Sequence, residues 1–353
     1  MRKFLLATLF CALTTRAFAT NESGALIGAP TAHALGADGR GIVVAVIDTG
    51  VRATHADLDG AVVEERCFCR DSKGRGCCPN GSSVQTGSGA ARDDFGHGTT
   101  AAGIIASRGK VAPLGIAPGA KILAIRVAEA NGNVTWTQQV IDAIDSIVRD
   151  PKGTRVITMS FSVGNLSTGA CDSSQRALAT AIDRARAAGI VVIAASGNDA
   201  AAHGMRPPAC IANVISVGAV YDANFARVSA VSCSDSPAEV DRVGCFSNSD
   251  ASLDLLAPGA VITSSSADGG VFATGIGTSW AAPHVAAAAA IVLQLRPELT
   301  PAEVEALLKS TGRPIVDAKN GLTFPRIDLQ AAVTKLVTPA PPPSGYKKRR
   351  AVR

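Results

Sequence analysis

The sequence lacks the features that mark several large classes of protein. Its 353 residues include no apolar run that we predict to cross a bilayer, which takes about 20 residues, and no internal repeat. The His-Glu-x-x-His motif of zinc proteases is absent. Basic residues are scattered apart from Lys347, Lys348, Arg349 and Arg350, so the net charge of +5 gives only weak support for nucleic-acid binding. We therefore expect neither a membrane-spanning protein, nor a metalloprotease, nor a nucleic-acid-binding protein.

The composition that remains is that of a folded globular chain. Hydrophobic residues make up 47% of the sequence and charged residues 18%, which is enough apolar material for a sizeable core. We expect one large domain over residues 20–336, acting as a monomer. Residues 64–92 are rich in Gly, Ser and Cys and predict a disulfide-tied surface insertion, whereas residues 337–353 predict a Pro-rich linker with a basic tail.

The amino terminus has the layout of a secretory signal peptide. Arg2 and Lys3 precede an apolar run, and small residues at Ala17 and Ala19 predict cleavage after residue 19. The run is too short to span a bilayer, and the bulky residue before Cys11 disfavours a lipoprotein signal. Residues 1–19 therefore predict a secreted or periplasmic protein with no stable membrane insertion after the signal is removed.

Export determines how the cysteines are interpreted. Eight remain after the signal is removed, an even number, as a disulfide set in an oxidising compartment requires. Proximity in the sequence predicts that Cys67 and Cys69 pair with Cys77 and Cys78, that Cys171 pairs with Cys210, and that Cys233 pairs with Cys245. The first four could instead form a zinc site, although their spacing is not that of two CxxC knuckles.

Short apolar runs alternate with helical patterns along the chain, which predicts an α/β fold with parallel strands joined by crossover helices. The predicted strands are Ile42 to Ile47, Lys121 to Val127, Arg155 to Met159, Ile190 to Ala195 and Val214 to Val220. The predicted helices are Gly98 to Ser107, Thr137 to Arg149 and Ser173 to Ala188.

Four short motifs carry candidate chemistry. Asp48 follows the apolar run VAVI and precedes Thr-Gly, which places its carboxylate at the carboxyl end of a strand. His97 has glycine on both sides, so other groups can approach its ring closely. Ser279 follows Gly-Ile-Gly-Thr and opens an Ala-rich helix, and Asn198 ends the strand-loop segment AASGN. Each motif alone has a purely structural interpretation as a cap or turn.

Taken together, in the order Asp, His, Asn, Ser, these motifs resemble those of the subtilisin-like serine proteases, the subtilases. The segment GIAPGAKIL at residues 115–123 adds to the resemblance, which covers roughly residues 35–335. It implies a subtilisin-like doubly wound, mostly parallel sheet with helices on both faces. It also implies a secreted serine endopeptidase that acts on proteins or peptides through an acyl-enzyme on Ser279.

The resemblance assigns roles residue by residue. Asp48, His97 and Ser279 form the catalytic triad, and the Asn198 amide stabilises the oxyanion. The substrate lies extended between strands near 130–134 and 160–162, and the implied substrate-binding residues are Gly132, Ser160, Phe161, Ser162, Ser196 and Gly197. Trp136 is a candidate wall of a distal pocket, with a half-buried core indole as the equal alternative.

This sequence departs from the family pattern at three points. The family usually has Gly at the position of Ser162 and Met at the position of Trp280, which affects side-chain preference more than chemistry. Only about twenty residues separate Ala19 from the first strand, whereas most secreted relatives carry a longer propeptide. The resemblance implies no cofactor or metal for the chemistry, and it makes structural calcium plausible because many relatives bind it for stability, with ligands that the sequence does not identify.

Two alternatives belong to other functional classes. A non-catalytic, subtilase-like binding scaffold would be indicated by loss of a triad residue, and none is lost. An α/β-hydrolase esterase needs Gly-x-Ser-x-Gly with its histidine last in the chain, but Ser279 lacks the second glycine and His97 precedes it.

Overall fold

The structure is a computed structural model that describes residues 22–338. The predicted signal peptide and all but the first two residues of the predicted tail lie outside this range. The division into residues 1–19, 20–336 and 337–353 therefore stays a prediction.

A central sheet of eleven strands runs through the described chain. Residues 22–338 contain thirteen strands in all, namely β1 (Val43–Asp48), β2 (Val62–Phe68), β3 (Val84–Thr86), β4 (Lys121–Arg126), β5 (Thr154–Met159), β6 (Val191–Ala195), β7 (Ile215–Tyr221), β8 (Val228–Ser229), β9 (Ser234–Asp235), β10 (Leu255–Ser265), β11 (Val271–Ile276), β12 (Arg313–Val316) and β13 (Thr323–Arg326). The sheet order is β12-β13-β10-β7-β6-β5-β1-β4-β2-β3, with β11 on β10, while β8 and β9 form a separate ribbon. From β13 to β2 every pairing along this order is parallel.

Helices cover both faces of the sheet. They are α1 (Glu22–Leu26), α2 (Ala29–Ala34), α3 (His97–Ala106), α4 (Thr137–Arg149), α5 (Arg176–Ala187), α6 (Thr278–Leu295), α7 (Pro301–Thr311) and α8 (Leu329–Val337), with a 3-10 turn at Ala56–Leu58. The α/β prediction is confirmed.

Strand β1 shows why the predicted strands are nearly continuous in apolar character. Val44 and Val46 face the core that contains α3 and α6, whereas Val43, Ala45 and Ile47 face the core that contains α4 and α5. Because successive side chains of a strand point to opposite faces, a strand covered on both sides needs apolar residues at every position.

The predicted elements are found with small shifts at their ends, and α4 matches its prediction from Thr137 to Arg149. The prediction missed β10, the longest strand, because Pro258 and Gly259 interrupt its pattern with residues that are depleted in strands. It also assigned Val62–Phe68 largely to the insertion, whereas this segment is β2 and pairs in parallel with β4.

The predicted disulfide pairing is confirmed, and the structure resolves which bond joins which cysteine. Cys67 pairs with Cys78 and Cys69 with Cys77, so this cluster is not a zinc site. The bonds Cys171–Cys210 and Cys233–Cys245 complete the set in the described chain.

Helix α6 crosses the centre of the molecule. By length and mean hydropathy it passes the criteria for a membrane-spanning helix, but 83% of it is buried inside the protein. It packs against β5, β6, β7 and β10, so its apolar character is that of a core helix.

Candidate active site

The polar motifs of the sequence meet at the carboxyl ends of three neighbouring strands. Asp48 is the last residue of β1, Ser160 follows β5, and Asn198 lies three residues beyond β6. The helices α3 and α6 begin at the same edge with His97 and with Thr278 and Ser279 respectively. In open α/β sheets this edge is where ligands bind.

Asp48 and His97 form a hydrogen-bonded pair. The His97 Nδ1 atom lies 2.8 Å from Asp48 Oδ1, which also accepts a hydrogen bond from the Thr49 N–H at 2.7 Å. The Asp48 side chain is buried, and its Oδ2 atom has no hydrogen-bond partner within residues 22–338. The residue after His97 must be Gly98, since a Cβ there would lie 2.1 Å from the Gly50 carbonyl oxygen.

The surroundings of His97 favour its protonated form. Burial, the largest single influence, lowers the pKa of His97, but the charge of Asp48, its hydrogen bond and the charge of Asp93 together raise that pKa above the usual value. The side chain remains 22% exposed, so the ring is accessible from the surface.

Asp93 organises the start of α3, a role that the sequence analysis missed. Its Oδ1 accepts hydrogen bonds from the N–H groups of Phe95 and Gly96 and from the Thr49 hydroxyl. Its Oδ2 accepts from both the N–H and the hydroxyl of Thr99. An acidic residue a few positions before a helix is a recognisable capping signal, and it was available in the sequence.

We expect Asp93→Asn to lower the free energy of unfolding by about 2 to 4 kcal/mol, because it weakens charge-assisted hydrogen bonds and leaves buried donors facing an amide nitrogen. The measurement is urea denaturation in a Ser279→Ala background, which prevents self-digestion. The matched control is Asp59→Asn, which removes an exposed ion pair with Lys110 and should have little effect. Equal effects of the two changes would contradict this role.

Ser279 lies in the first turn of α6. Its hydroxyl donates a hydrogen bond to the Ser160 carbonyl oxygen at 2.7 Å. No hydrogen bond joins Ser279 Oγ to His97 among the described residues. Trp280, the residue after Ser279, contacts the imidazole, with its ring centroid 4.6 Å from that of His97.

The orientation of Asn198 is determined by Thr278. Asn198 Oδ1 accepts hydrogen bonds from the Thr278 N–H at 2.9 Å and the Thr278 hydroxyl at 3.0 Å, and the same hydroxyl accepts from the Gly197 N–H. The Nδ2 atom would lie 3.3 Å from a Cβ placed on Gly277. The amide NH₂ therefore points to the segment that carries Ser279.

The other implied substrate residues divide into two groups. Gly132, Phe161 and Ser162 lie at or near the surface, and Gly132 approaches the Phe95 ring so closely that a Cβ would lie 2.9 Å from it. Ser196 is fully buried, and its hydroxyl donates to the Asn248 carbonyl.

The two segments predicted as strands on either side of the substrate have another local structure. Residues 130–133 form a tight turn closed by the hydrogen bond from the Glu129 N–H to the Asn133 carbonyl, and neither 130–134 nor 160–162 is a strand in this structure. Gly132 occupies the turn with a φ of 85°, which favours glycine.

Trp136 lies beyond this turn. It is 45% exposed, and its indole N–H donates to the Asp71 carbonyl of the disulfide-tied segment. It lines a cavity of about 260 Å³ together with Phe68 and Val84, on the side of α4. The indole is thus part of a pocket wall and also fastens the insertion to the domain.

Comparison with known proteins gives a consistent result. A profile of the Subtilase family, peptidase S8, matches residues 39–330. Subtilisin BL of Lederbergia lenta is 35% identical over 286 residues, covering 81% of this chain and 88% of that protein. Subtilisin E of Bacillus subtilis (strain 168) is 33% identical over 289 residues, covering 81% of this chain and 64% of that protein.

Solved structures have the same fold. A protease of Pseudoalteromonas arctica PAMC 21717 superimposes with a TM-score of 0.69 at 27% identity, covering 88% of this chain and 94% of that chain. A cold-adapted subtilisin-like serine proteinase superimposes with a TM-score of 0.61 at 28% identity, covering 81% and 89%. Sequence, fold and comparisons agree, and the chain belongs to the subtilase family and is a serine endopeptidase.

Proposed function

We propose that this chain is a secreted endopeptidase that hydrolyses peptide bonds in proteins with Asp48, His97 and Ser279 as its catalytic triad. The observation that carries the proposal is the 2.8 Å contact between His97 Nδ1 and Asp48 Oδ1 at the start of α3, beside the first turn of α6. The bond occupies one ring nitrogen and leaves the other, Nε2, for Ser279.

In the proposed reaction, the Ser279 hydroxyl attacks the peptide carbonyl while His97 Nε2 takes its proton. The hydroxyl leaves the Ser160 carbonyl for His97 by rotation about the Cα–Cβ bond. The tetrahedral intermediate collapses when His97 gives that proton to the leaving amine, which leaves an acyl group on Ser279 Oγ. Water, activated by His97, then releases the acid and restores the serine.

Asp48 serves this cycle by holding the ring and by stabilising its charge. The carboxylate is buried, so its attraction to the imidazolium that forms during attack is weakly screened. The same carboxylate contributes to the raised pKa of His97. It also selects the tautomer in which Nδ1 carries hydrogen and Nε2 accepts the proton of Ser279.

Asn198 is the proposed oxyanion donor, together with the Ser279 N–H. Its Oδ1 is already bound by Thr278, so the amide cannot flip without losing two hydrogen bonds. A donor fixed in this way needs no reorganisation when negative charge develops on the substrate oxygen. Thr278 is therefore a positioning residue for Asn198.

We expect Asn198→Ala to lower kcat roughly 10² to 10³-fold with a small change in KM, the range established for the oxyanion asparagine of subtilisin. The loss falls on kcat because the donor acts on charge that exists only in the transition state. Steady-state kinetics with a peptide amide measures it. Asn213→Ala, which removes an exposed asparagine paired with Asp183, is the control and should retain full activity. A loss confined to KM would contradict the role.

The direct test of the proposed function is chemical labelling of the mature chain. The protein is treated with a fluorophosphonate, and the modified peptide is identified by mass spectrometry while casein hydrolysis is followed in parallel. A label on Ser279 with loss of casein hydrolysis supports the proposal. A folded protein that neither takes the label nor cleaves casein indicates a binding scaffold instead.

The proposed cofactor requirement, partners and cellular location follow from family membership and from the disulfide bonds. Subtilisins need no cofactor for catalysis, and the implied partners are protein substrates. Among residues 22–338, no group of three or more His, Cys, Asp or Glu side chains is arranged to hold a metal ion. Four disulfide bonds support export to an oxidising compartment, in line with the signal peptide predicted for residues 1–19.

A further inference from the structure

The aromatic residue that follows the proposed nucleophile lies against the imidazole of His97. The Trp280 and His97 ring centroids are 4.6 Å apart, with an angle of 35° between the ring planes. The Trp280 side chain is almost completely buried, at 6% exposure. The contact is therefore a fixed part of the site rather than a chance approach of an exposed side chain.

Two neighbours hold the indole in place. The Phe272 ring on β11 lies with its centroid 5.5 Å from that of Trp280. Gly275 provides the space, because a Cβ there would lie 2.7 Å from Trp280 Nε1. The surroundings thus fit an indole at this position.

In the described part of the chain one hydrogen bond, to Asp48, holds the His97 ring, which therefore needs a further contact to fix its orientation. Its Nδ1 is hydrogen-bonded to Asp48, but the Ser279 hydroxyl is bonded to the Ser160 carbonyl. One hydrogen bond leaves the ring free to turn about that bond. The face of Trp280 restricts this rotation, which favours the ring orientation in which Nε2 can accept the proton once the serine hydroxyl rotates to it.

The contact has an electrostatic consequence as well. An aromatic face attracts a cation within about 6 Å of its centroid, and tryptophan does so most strongly. The other charges near the ring are Asp48 on β1 and Asp93 before α3. Helix α6 and strand β11 contribute no charged side chain except His284, which burial keeps neutral by lowering its pKa to about 4.

We propose that Trp280 is a positioning residue whose indole face holds the His97 imidazole in place for proton transfer and stabilises its protonated form. The inference rests on the role proposed for His97. It attributes to this side chain a contribution that an aliphatic or thioether side chain at the same position cannot make, because only an aromatic ring has the required quadrupole.

The first test reads the contact without catalysis. Three proteins are compared in a Ser279→Ala background: one that keeps Trp280, one with Trp280→Met and one with Trp280→Phe. The pH titration of the His97 imidazole is followed in each by NMR. Its resonance is assigned by comparison with the spectrum of a His97→Gln variant. We expect the Met variant to titrate about 0.5 to 1 pH unit lower than the Trp280 protein, and the Phe variant to recover most of the difference. Equal midpoints in the Met and Phe variants, or a Met midpoint at or above that of Trp280, overturn the proposal.

The second test uses hydrolysis of a short peptide amide. We expect Trp280→Met to lower kcat about 3 to 30-fold with KM unchanged and to move the acid limb of kcat/KM to lower pH. The kcat of Trp280→Phe should stay within about 3-fold of the wild-type value. Thermal unfolding verifies folding, and Trp280→Leu replaces the Met variant if that one unfolds. A wild type that neither takes the fluorophosphonate nor cleaves peptides refutes the proposed function, whereas the titration still decides whether Trp280 acts on His97.

Discussion

Replacing Ser279 with alanine is expected to lower kcat for peptide hydrolysis roughly 10⁶-fold, the magnitude established for the equivalent change in subtilisin. The loss is this large because the acyl-enzyme cannot form and the remaining groups act as a unit with the nucleophile. The residual activity would come from Asn198 and from substrate binding. The measurement is peptide amide hydrolysis at high enzyme concentration, together with fluorophosphonate labelling, which the variant should lose.

The fold should not depend on this hydroxyl, since its observed partner is one carbonyl oxygen at Ser160. Thermal unfolding of Ser279→Ala close to that of the wild type is therefore part of the expectation. Ser310→Ala is the matched control, because it also removes a helix serine that donates to a backbone carbonyl, far along the chain in α7. If Ser279→Ala retained more than a few per cent of activity, another residue would have to be the nucleophile.

Replacing Asp48 with asparagine is expected to lower kcat roughly 10⁴-fold, less than loss of the serine, because the nucleophile and the base both remain. The asparagine oxygen can take the place of Oδ1 and accept hydrogen bonds from the Thr49 N–H and from His97 Nδ1. It carries no charge, however, so the imidazolium that forms during attack loses its buried counterion.

The same change should move the pH dependence in a defined direction. Asp48 raises the pKa of His97 through its charge and its hydrogen bond, while burial opposes it. Without that charge, burial dominates and the pKa of His97 falls, so the acid limb of kcat/KM moves to lower pH while the maximum decreases. Asp59→Asn, at an exposed aspartate, should change neither quantity. An acid limb that moved to higher pH would contradict the assignment of Asp48.

Local sequence features were sufficient for much of the fold. Continuous Val and Ile runs predicted β1 and β4 to β7 because a strand buried on both faces leaves no position for a polar residue. The apolar stripe of α4 predicted its limits as observed. Such patterns did not predict β10, where Pro258 and Gly259 lie at a shift in the register between this strand and β7.

In the candidate site, too, some residues were predictable from local sequence and others were not. The glycines around His97 indicated that other groups could approach its ring closely, those before Ser279 indicated a tightly specified turn, and Asn198 was recognisable from its place after an apolar strand. Asp93 was recognisable in principle as a capping residue before α3, but the sequence motifs did not single it out. Thr278 carried no signal as the residue that orients Asn198, because that role depends on a contact across 80 positions of the chain.

The sequence by itself determined the chemical groups of this protein and the strands that present them, because periodicity, turn residues and short motifs are local properties. It also determined the disulfide partners as far as proximity allows. Only the tertiary structure decided how these groups meet: which cysteines of the insertion pair, that the Ser279 hydroxyl binds the Ser160 carbonyl, and that Trp280 lies on His97. The last two are contacts between segments that are distant in the chain, and the packing of helices around the sheet, which no local pattern encodes, brings those segments together.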